Sequence, residues 1–158
     1  MEIRILVGTM TGTAEAVAQE MQAELQKAGH GAEIVLMDGR DATVFTEKSG
    51  PYLICTSTYG SGDVPDNAQA LFASLEAQRP DLAGMIYGVI ALGDRTYGDT
   101  FCQGGLRFDK LLSALGAQRA GEVLRHDASA GTMAEDVATE WILPWVEQQL
   151  LPALAQRV

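Results

Sequence analysis

The sequence predicts an α/β fold in which helices cover both faces of a parallel β-sheet. Short apolar runs typical of buried strands alternate with segments in which apolar residues recur at helical spacing. No linker, repeat or low-complexity stretch divides the 158 residues, a length that suits one domain with a sizeable core. We therefore expect a single domain spanning residues 1–158.

Five segments have the apolar character of strands. They are predicted at residues 3–7, 33–37, 51–57, 85–92 and, more weakly, 117–125. The run PYLICTS at 51–57 suits a strand covered on both faces, as in parallel sheets. Five strands allow the order 2-1-3-4-5 or a truncated 3-2-1-4-5, and periodicity does not choose between them. Either order brings ligands to the carboxyl ends of the strands.

Four helices are predicted between and after these strands. Apolar residues between positions 14 and 28 follow the helical period, and Gly29 marks the end of that helix. Further helices are predicted at about 67–78, around 108–115 and at about 133–154. Pro144 lies inside the last helix and should kink or interrupt it.

Charge and cysteine content argue against several classes of protein. A formal charge of −10 disfavours nucleic acid or an anionic membrane as a partner, because both bind clustered Lys and Arg. No apolar run reaches the length of about 18 residues that predicts a transmembrane helix, and we expect a cytoplasmic protein. Cys55 and Cys102 are too few for a disulfide framework or zinc site, and Cys55 is interpreted as a small buried hydrophobic residue.

The loop after the first strand, GTMTGTAE at residues 8–15, predicts a phosphate site. Thr9, Thr11 and Thr13 can each donate a hydroxyl proton, and Gly12 lets the backbone approach a ligand closely. The first N–H groups of the following helix add free donors at its positive end. The loop lacks the Walker Gly-Lys-Ser/Thr and the GxGxxG of dinucleotide binders. The competing interpretation is an ordinary helix N-cap.

Two further loops place aromatic residues at the same predicted edge. STYGSGDVPDN at 57–67 carries Tyr59 after the third strand, and LGDRTYGDTFC at 92–102 carries Tyr97 after the fourth. A loop tyrosine beside a phosphate site can stack on a flat ring. Together the three loops predict a pocket for a planar heterocycle with one phosphate.

Charge around these loops is negative. Residues 5–26 and 49–78 contain no Lys or Arg. Four aspartates lie at the loop edge: Asp63, Asp66, Asp94 and Asp99. Such a site makes extra negative charge on a bound ring costly. His30 and His126 have no Ser or Cys motif beside them, so a nucleophilic triad is not supported, and no loop has metal-ligand spacing.

Taken together, these loops resemble a known family. TMTGTAE, STYGSGD and LGDRTYGDTFC, followed by VLRHD, are similar to the flavodoxins and to the FMN domains of diflavin reductases, with short-chain (MioC-like) flavodoxins the nearest kind. The resemblance covers nearly the whole chain, from Ile3 to Trp145. It implies a flavodoxin-like three-layer α/β/α sandwich, a five-stranded parallel sheet of order 2-1-3-4-5 and one non-covalent FMN.

The resemblance also implies the cofactor-binding residues. The phosphate would be held by Thr9, Met10, Thr11, Gly12, Thr13 and Ala14. Tyr59 and Tyr97 would flank the isoalloxazine, and Gly60 would present its peptide carbonyl to flavin N5. The remaining members of the site would be Ser57, Thr58, Leu92, Gly93, Asp94, Phe101, Cys102 and Asp127. Between Tyr97 and Cys102 the chain has one residue more than the usual family spacing.

The implied function is that of a low-potential carrier of single electrons rather than an enzyme. The expected partners are a flavodoxin/ferredoxin reductase-type donor with a basic face and redox acceptor enzymes, with the protein itself a monomer. One alternative is a flavin-dependent NAD(P)H–quinone oxidoreductase on the same fold, although nothing resembles a nicotinamide site. A signalling receiver domain would need paired acids after the first strand, where GTMTGT stands, and a lysine after the fifth.

Overall fold

A computed structural model describes residues 1–9, 12–47, 50–58, 63–94 and 102–156. The strands are β1 (Glu2–Gly8), β2 (Gly31–Leu36), β3 (Tyr52–Thr56), β4 (Ile86–Gly93), β5 (Gln118–Arg119) and β6 (Leu124–Asp127). The helices are α1 (Thr13–Lys27), α2 (Asp66–Gln78), α3 (Gln103–Ala114), α4 (Ala134–Trp145) and α5 (Leu151–Gln156). Short 3₁₀ helices lie at Ala42–Phe45 and Ala128–Ala130, and a π-helical stretch lies at Val146–Leu150.

The strands form a parallel sheet of order β2-β1-β3-β4-β5, with β6 also paired to β4. The flavodoxin-like order is confirmed, and the truncated 3-2-1-4-5 order is excluded. Because β3 occupies one edge of β4, β5 and β6 share the other edge and together fill the fifth strand position.

Alternating side chains of the strands build two cores, one on each face of the sheet. Ile5 of β1 packs in the core beneath α1 and α4, whereas the next residue, Leu6, packs in the core beneath α2 and α3. Met21 of α1 belongs to the first core, and Phe108 of α3 to the second. This arrangement confirms the predicted three layers.

A continuous fifth strand over residues 117–125 was the wrong expectation, because the structure divides it. β5 pairs with Ile86 and Tyr87, and β6 pairs with the end of β4. Between them Gly121 has φ 72°, a left-handed conformation incompatible with a strand. The carbonyl of Ala120 accepts a hydrogen bond from the Trp145 indole N–H at 2.8 Å instead of extending the sheet ladder.

The interruption predicted at Pro144 is confirmed. The α-helical pattern ends at Trp145, one residue after the proline, and continues as the π-helical stretch and then as α5. Proline has no N–H to donate, so the regular ladder cannot run through it.

Within the described part of the chain, no helix has the length and apolar character needed to cross a membrane.

Candidate cofactor site

The carboxyl ends of four strand segments meet at one edge of the sheet. Gly8 of β1 pairs with Thr56 of β3, and Gly93 of β4 pairs with Asp127 of β6. The Ser57 N–H donates to the Gly8 carbonyl at 3.0 Å and extends this contact beyond the strands. The described parts of all three predicted loops therefore converge at this edge, as the topology requires.

The start of α1 has the properties of an anion site. The N-cap residue is Gly12, at φ 90°, which has no side chain to cap the helix. Among the described residues, no atom would lie within 4 Å of a Cβ added at Gly12. The first N–H groups of a helix lack intrahelical partners and carry the positive end of its dipole. This turn has the backbone donors that a phosphate requires, and its glycine N-cap also matches the competing interpretation as an ordinary helix start.

Thr9 shapes the turn that precedes α1. Its Oγ1 accepts a hydrogen bond from the Gly12 N–H at 2.9 Å, and the Gly12 carbonyl accepts from the Ala16 N–H at 3.0 Å. An accepting hydroxyl still carries its own proton, which it can donate to a ligand. Thr13 follows as an exposed residue and Ala14 as a buried one.

Asn67, in the first turn of α2, is a residue of this edge that the sequence did not single out. Its Oδ1 accepts a hydrogen bond from the Thr9 N–H at 2.7 Å. Its Nδ2 donates to the Val7 carbonyl at 3.3 Å and to Asp38 Oδ1 at 3.1 Å. In the sequence Asn67 is simply the start of a predicted helix. The only feature that could have pointed to it is an amide side chain at the predicted carboxyl edge of the sheet.

Thr58 uses its hydroxyl to hold protein segments together. Its Oγ1 donates to the Leu92 carbonyl at 3.1 Å and accepts from the Gly104 N–H at 3.0 Å. These bonds tie the end of β3 to the end of β4 and to the first turn of α3. Ser57 lies beside Gly104 so closely that a Cβ on the glycine would collide with the Ser57 carbonyl oxygen. This close approach requires a glycine in the first turn of α3, which begins at Gln103, five residues before the predicted helix.

Cys102 lies at the edge of β4 that faces β6, opposite to the edge that faces β3, and its side chain is buried. Its Sγ is 3.2 Å from the Ala91 carbonyl oxygen and 3.7 Å from the His126 carbonyl oxygen, so the thiol sits between β4 and β6. Its φ of 58° is uncommon for a residue with a side chain. A Cβ on Gly93 would lie 2.6 Å from the Cys102 nitrogen, so only glycine fits there.

Asp127 caps the 3₁₀ helix that follows β6. Its Oδ1 accepts from the Ser129 N–H at 2.9 Å and from the Ser129 hydroxyl at 2.7 Å. Its register partner Gly93 leads directly to Asp94, so these two aspartates belong to adjacent strand ends. The neighbouring His126 is buried, with Nε2 3.0 Å from Thr132 Oγ1.

Cys55 has the inert environment expected from its apolar sequence context. Its thiol is fully buried and donates to the Ala14 carbonyl at 3.5 Å. Burial raises the pKa of Cys55 to about 12, so it carries almost no thiolate at neutral pH.

Several carboxylates lie at this edge among the described residues, and the Arg107 guanidinium approaches one of them. Asp38, Asp63 and Asp66 lie at or beside the strand ends, and Arg107 Nη1 approaches Asp63 Oδ1 to 3.6 Å. Both of these side chains are about half exposed, so the pair is solvent-screened. Across the described residues, no group of three or more His, Cys, Asp or Glu side chains could hold a metal ion.

Six predicted site residues lie outside the described residues: Met10, Thr11, Tyr59, Gly60, Tyr97 and Phe101. Arg95 and Asp99 of the third loop also lie there. The described members of the predicted set are Thr9, Gly12, Thr13, Ala14, Ser57, Thr58, Leu92, Gly93, Asp94, Cys102 and Asp127.

Comparisons with known proteins give a consistent result. The family model described as Flavodoxin matches residues 5–141. Protein MioC of Escherichia coli (strain K12) is 34% identical over 148 residues, covering 92% of this chain and 96% of MioC. The sulfite reductase [NADPH] flavoprotein alpha-component of Vibrio cholerae is 37% identical over 161 residues, covering 98% of this chain and 25% of that protein.

A solved structure supports the same relationship. A single-residue variant of a flavodoxin from Pseudomonas aeruginosa superposes with a TM-score of 0.82 at 37% identity, covering 93% of this chain and 97% of that one. The parallel sheet order agrees with these similarities, and so does the glycine turn at Gly12, which suits a phosphate. The chain therefore belongs to the flavodoxin family of electron-transport flavoproteins, and its cofactor is FMN.

Proposed function

We propose that this protein is a low-potential carrier of single electrons that binds one FMN at the carboxyl edge of its sheet. It takes electrons from a flavodoxin/ferredoxin reductase-type donor with a basic face and passes them to redox acceptor enzymes. The observation that carries this proposal is the start of α1, where the helix N-terminus and the remaining hydroxyl proton of Thr9 are neutral donors suited to an anion. FMN supplies the redox chemistry when bound, and the protein supplies binding and electrostatics.

The phosphate is assigned to the turn between β1 and α1. The residues proposed to hold it are Thr9, Met10, Thr11, Gly12, Thr13 and Ala14. Neutral donors suit a phosphate because each hydrogen bond to a charged group stabilises binding by about 1.5–3 kcal/mol without adding a cation near the ring. The absence of any described atom within 4 Å of a Cβ added at Gly12 supports this assignment.

The flavin ring is assigned to the space beside the 57–60 and 92–102 loops. Tyr59 and Tyr97 are proposed to flank it, and Gly60 to present its carbonyl to flavin N5. The Thr58 hydroxyl and the buried Cys102 thiol support this assignment indirectly, because they anchor the bases of the two loops. Ser57, Leu92, Gly93, Asp94, Phe101 and Asp127 complete the proposed surroundings.

The low potential is proposed to arise from the carboxylates at this edge. Asp94 and Asp127 belong to adjacent strand ends, and the phosphate turn contributes no cation. Nearby negative charges raise the free energy of any negative charge added at the site. The pairing of Asp63 with Arg107 weakens the contribution of that one aspartate.

We further propose that residues 1–158 form one FMN-binding domain that acts as a cytoplasmic monomer. One sheet carries both cores, and every described helix from α1 to α4 contributes buried residues to one of them.

Thr11→Val tests the proposed phosphate turn. The substitution should raise the dissociation constant of FMN at least about tenfold, because one hydrogen bond to a charged group is lost. Riboflavin, which lacks the phosphate, should bind both proteins alike. Thr139→Val is the matched control, since its hydroxyl donates to the Asp136 carbonyl within α4, far from the phosphate turn in the sequence. Equal weakening of FMN and riboflavin would place the phosphate elsewhere.

Steady-state oxidation of NADPH tests the carrier role. The purified, FMN-loaded protein should not oxidise NADPH with a quinone acceptor, whereas adding a flavodoxin/ferredoxin reductase should start electron flow to the acceptor. Turnover without the reductase would instead support an NAD(P)H–quinone oxidoreductase.

A further inference from the structure

Asn67 joins three separate segments at the cofactor edge. Its Oδ1 receives the Thr9 N–H at 2.7 Å, the shortest of its bonds. Its Nδ2 reaches the Val7 carbonyl at 3.3 Å, at the end of β1, and Asp38 Oδ1 at 3.1 Å, beyond β2. Both ends of the amide are therefore used, and the bonds connect α2 to the end of β1 with the turn that follows it and to the segment after β2.

These bonds continue into the first turn of α1. The Thr9 N–H is committed to Asn67, while the Thr9 hydroxyl oxygen accepts from the Gly12 N–H at 2.9 Å. The Gly12 carbonyl then accepts from the Ala16 N–H at 3.0 Å. A chain of three hydrogen bonds thus runs from Asn67 to the helix that offers its N-terminus to the phosphate.

This chain determines which donor of Thr9 remains for a ligand. Because Thr9 has its N–H bonded to Asn67 and its oxygen bonded to Gly12, its remaining donor is the hydroxyl proton. Binding is tighter when donors are held in place before the ligand arrives, since less freedom is lost on association. An apolar side chain at position 67 would leave the Thr9 N–H and the Val7 carbonyl without this partner.

We propose that Asn67 is a positioning residue for the phosphate turn and determines the preference for FMN over riboflavin. This inference rests on the proposed placement of the phosphate at residues 9–14. Asn67 acts through Thr9 and Gly12, so its contribution depends on the phosphate and is absent for a flavin without one.

The test compares Asn67→Leu with Gln69→Leu in the full chain. Gln69 provides a matched control because it lies in the same helix as Asn67. Its Nε2 donates to the Val64 carbonyl at 2.7 Å and does not reach the phosphate turn. Asn67→Leu should raise the dissociation constant of FMN about tenfold and leave that of riboflavin within about twofold. Gln69→Leu should leave both constants near those of the wild type.

Three results would overturn the inference. One is an equal loss of FMN and riboflavin binding in Asn67→Leu, which would indicate general damage to the edge. Another is the same FMN loss in both variants. A wild-type protein that binds FMN and riboflavin equally would overturn the placement of the phosphate as well.

If Asn67→Leu does not unfold cooperatively on heating, a charge exchange decides the question instead. Asn67→Asp keeps an acceptor for the Thr9 N–H but sets two carboxylates against each other at the Asp38 contact. Adding Asp38→Asn restores one amide and one carboxylate with the wild-type net charge. The double variant should recover most of the FMN affinity that the single variant loses, and failure to recover would overturn the inference.

Discussion

Single polar residues at the cofactor edge hold protein segments in place. The Thr58 hydroxyl bridges Leu92 and Gly104, and the carboxylate of Asp127 caps a short helix. Substitutions that break these contacts within the protein should therefore disturb the cofactor edge.

Cys55 makes a pH-dependent contribution to stability that can be measured. Its thiol has a pKa of about 12 in the folded protein against 9.0 in the unfolded chain, because burial penalises the thiolate. The unfolded state therefore loses this proton above pH 9 while the folded state keeps it. Stability from this group is fully present below pH 9 and declines as the pH rises towards 12.

Cys55→Ala removes this linkage. Between pH 8 and pH 10 the free energy of unfolding should fall about 1.4 kcal/mol more in the wild type than in the variant, as one site with these pKa values requires. Denaturant unfolding at both pH values, with the cofactor state matched, gives the difference. The variant will also be less stable at pH 8 because it leaves a small cavity, so only the change with pH is diagnostic. Identical pH dependence in the two proteins would show that the thiol ionises freely in the fold.

Among the elements, α3 makes the tightest approach to the cofactor edge. Its first turn holds Gly104 against Ser57 and Gly105 against Ala91, where added Cβ atoms would collide with the neighbouring residues. The Gly104 N–H is bonded to the Thr58 hydroxyl, so this turn also fixes the base of the 57–60 loop. The two glycines lower helix propensity by about 1 kcal/mol each relative to Ala but permit this packing.

Gly104→Ala should destabilise the protein although alanine is the better helix former. The new Cβ would press on the Ser57 carbonyl oxygen and lie 3.1 Å from Thr58 Cα, and neither backbone atom can rotate away. We expect a loss of about 1–3 kcal/mol in the free energy of unfolding, with weaker FMN binding, as in other overpacked cores. Gly31→Ala is the control, because its Cβ would meet the flexible Glu2 carboxylate instead of backbone. A Gly104→Ala protein as stable as the control would mean that α3 can shift outward freely.

The elements also show where sequence reasoning succeeds and where it ends. The strands β1, β3 and β4 and the helix α1 were predicted because their signal is local periodicity. The break between β5 and β6 was not predicted, because it depends on a bond from Trp145 to Ala120, 25 residues earlier.

In the site, the threonine and glycine turn was recognisable from the sequence as a motif. Its partner Asn67, 58 residues from Thr9, and the Thr58–Gly104 bond across 46 residues leave no local pattern.

Across the whole molecule, charge is divided unevenly between the two helical layers. The layer of α1 and α4 carries Glu15, Glu20, Glu24, Glu135, Asp136 and Glu140 against a single cation, Lys27. The layer of α2 and α3 carries three acids, Asp66, Glu76 and Asp109, against two cations, Arg107 and Lys110. The carboxyl edge between the layers is acidic as well. A net charge of −10 distributed in this way would steer a basic partner towards the molecule from a distance.

Electron transfer from a basic-faced reductase should therefore depend on salt and on the acidic edge. The Debye length falls from about 30 Å at 0.01 M to about 8 Å at 0.15 M, so the second-order rate of reduction should drop steeply across that range. Asp63→Asn should lower the rate at low salt, because it leaves Arg107 uncompensated beside the proposed site. Glu2→Gln makes the same change in net charge at the amino end of β1, the opposite edge of the sheet, and should have little effect. Stopped-flow reduction of the FMN-loaded variants at both salt concentrations measures this directly. Equal slowing by the two substitutions would mean that net charge alone guides the encounter, and a rate independent of salt would remove the basic-faced donor from the proposed function.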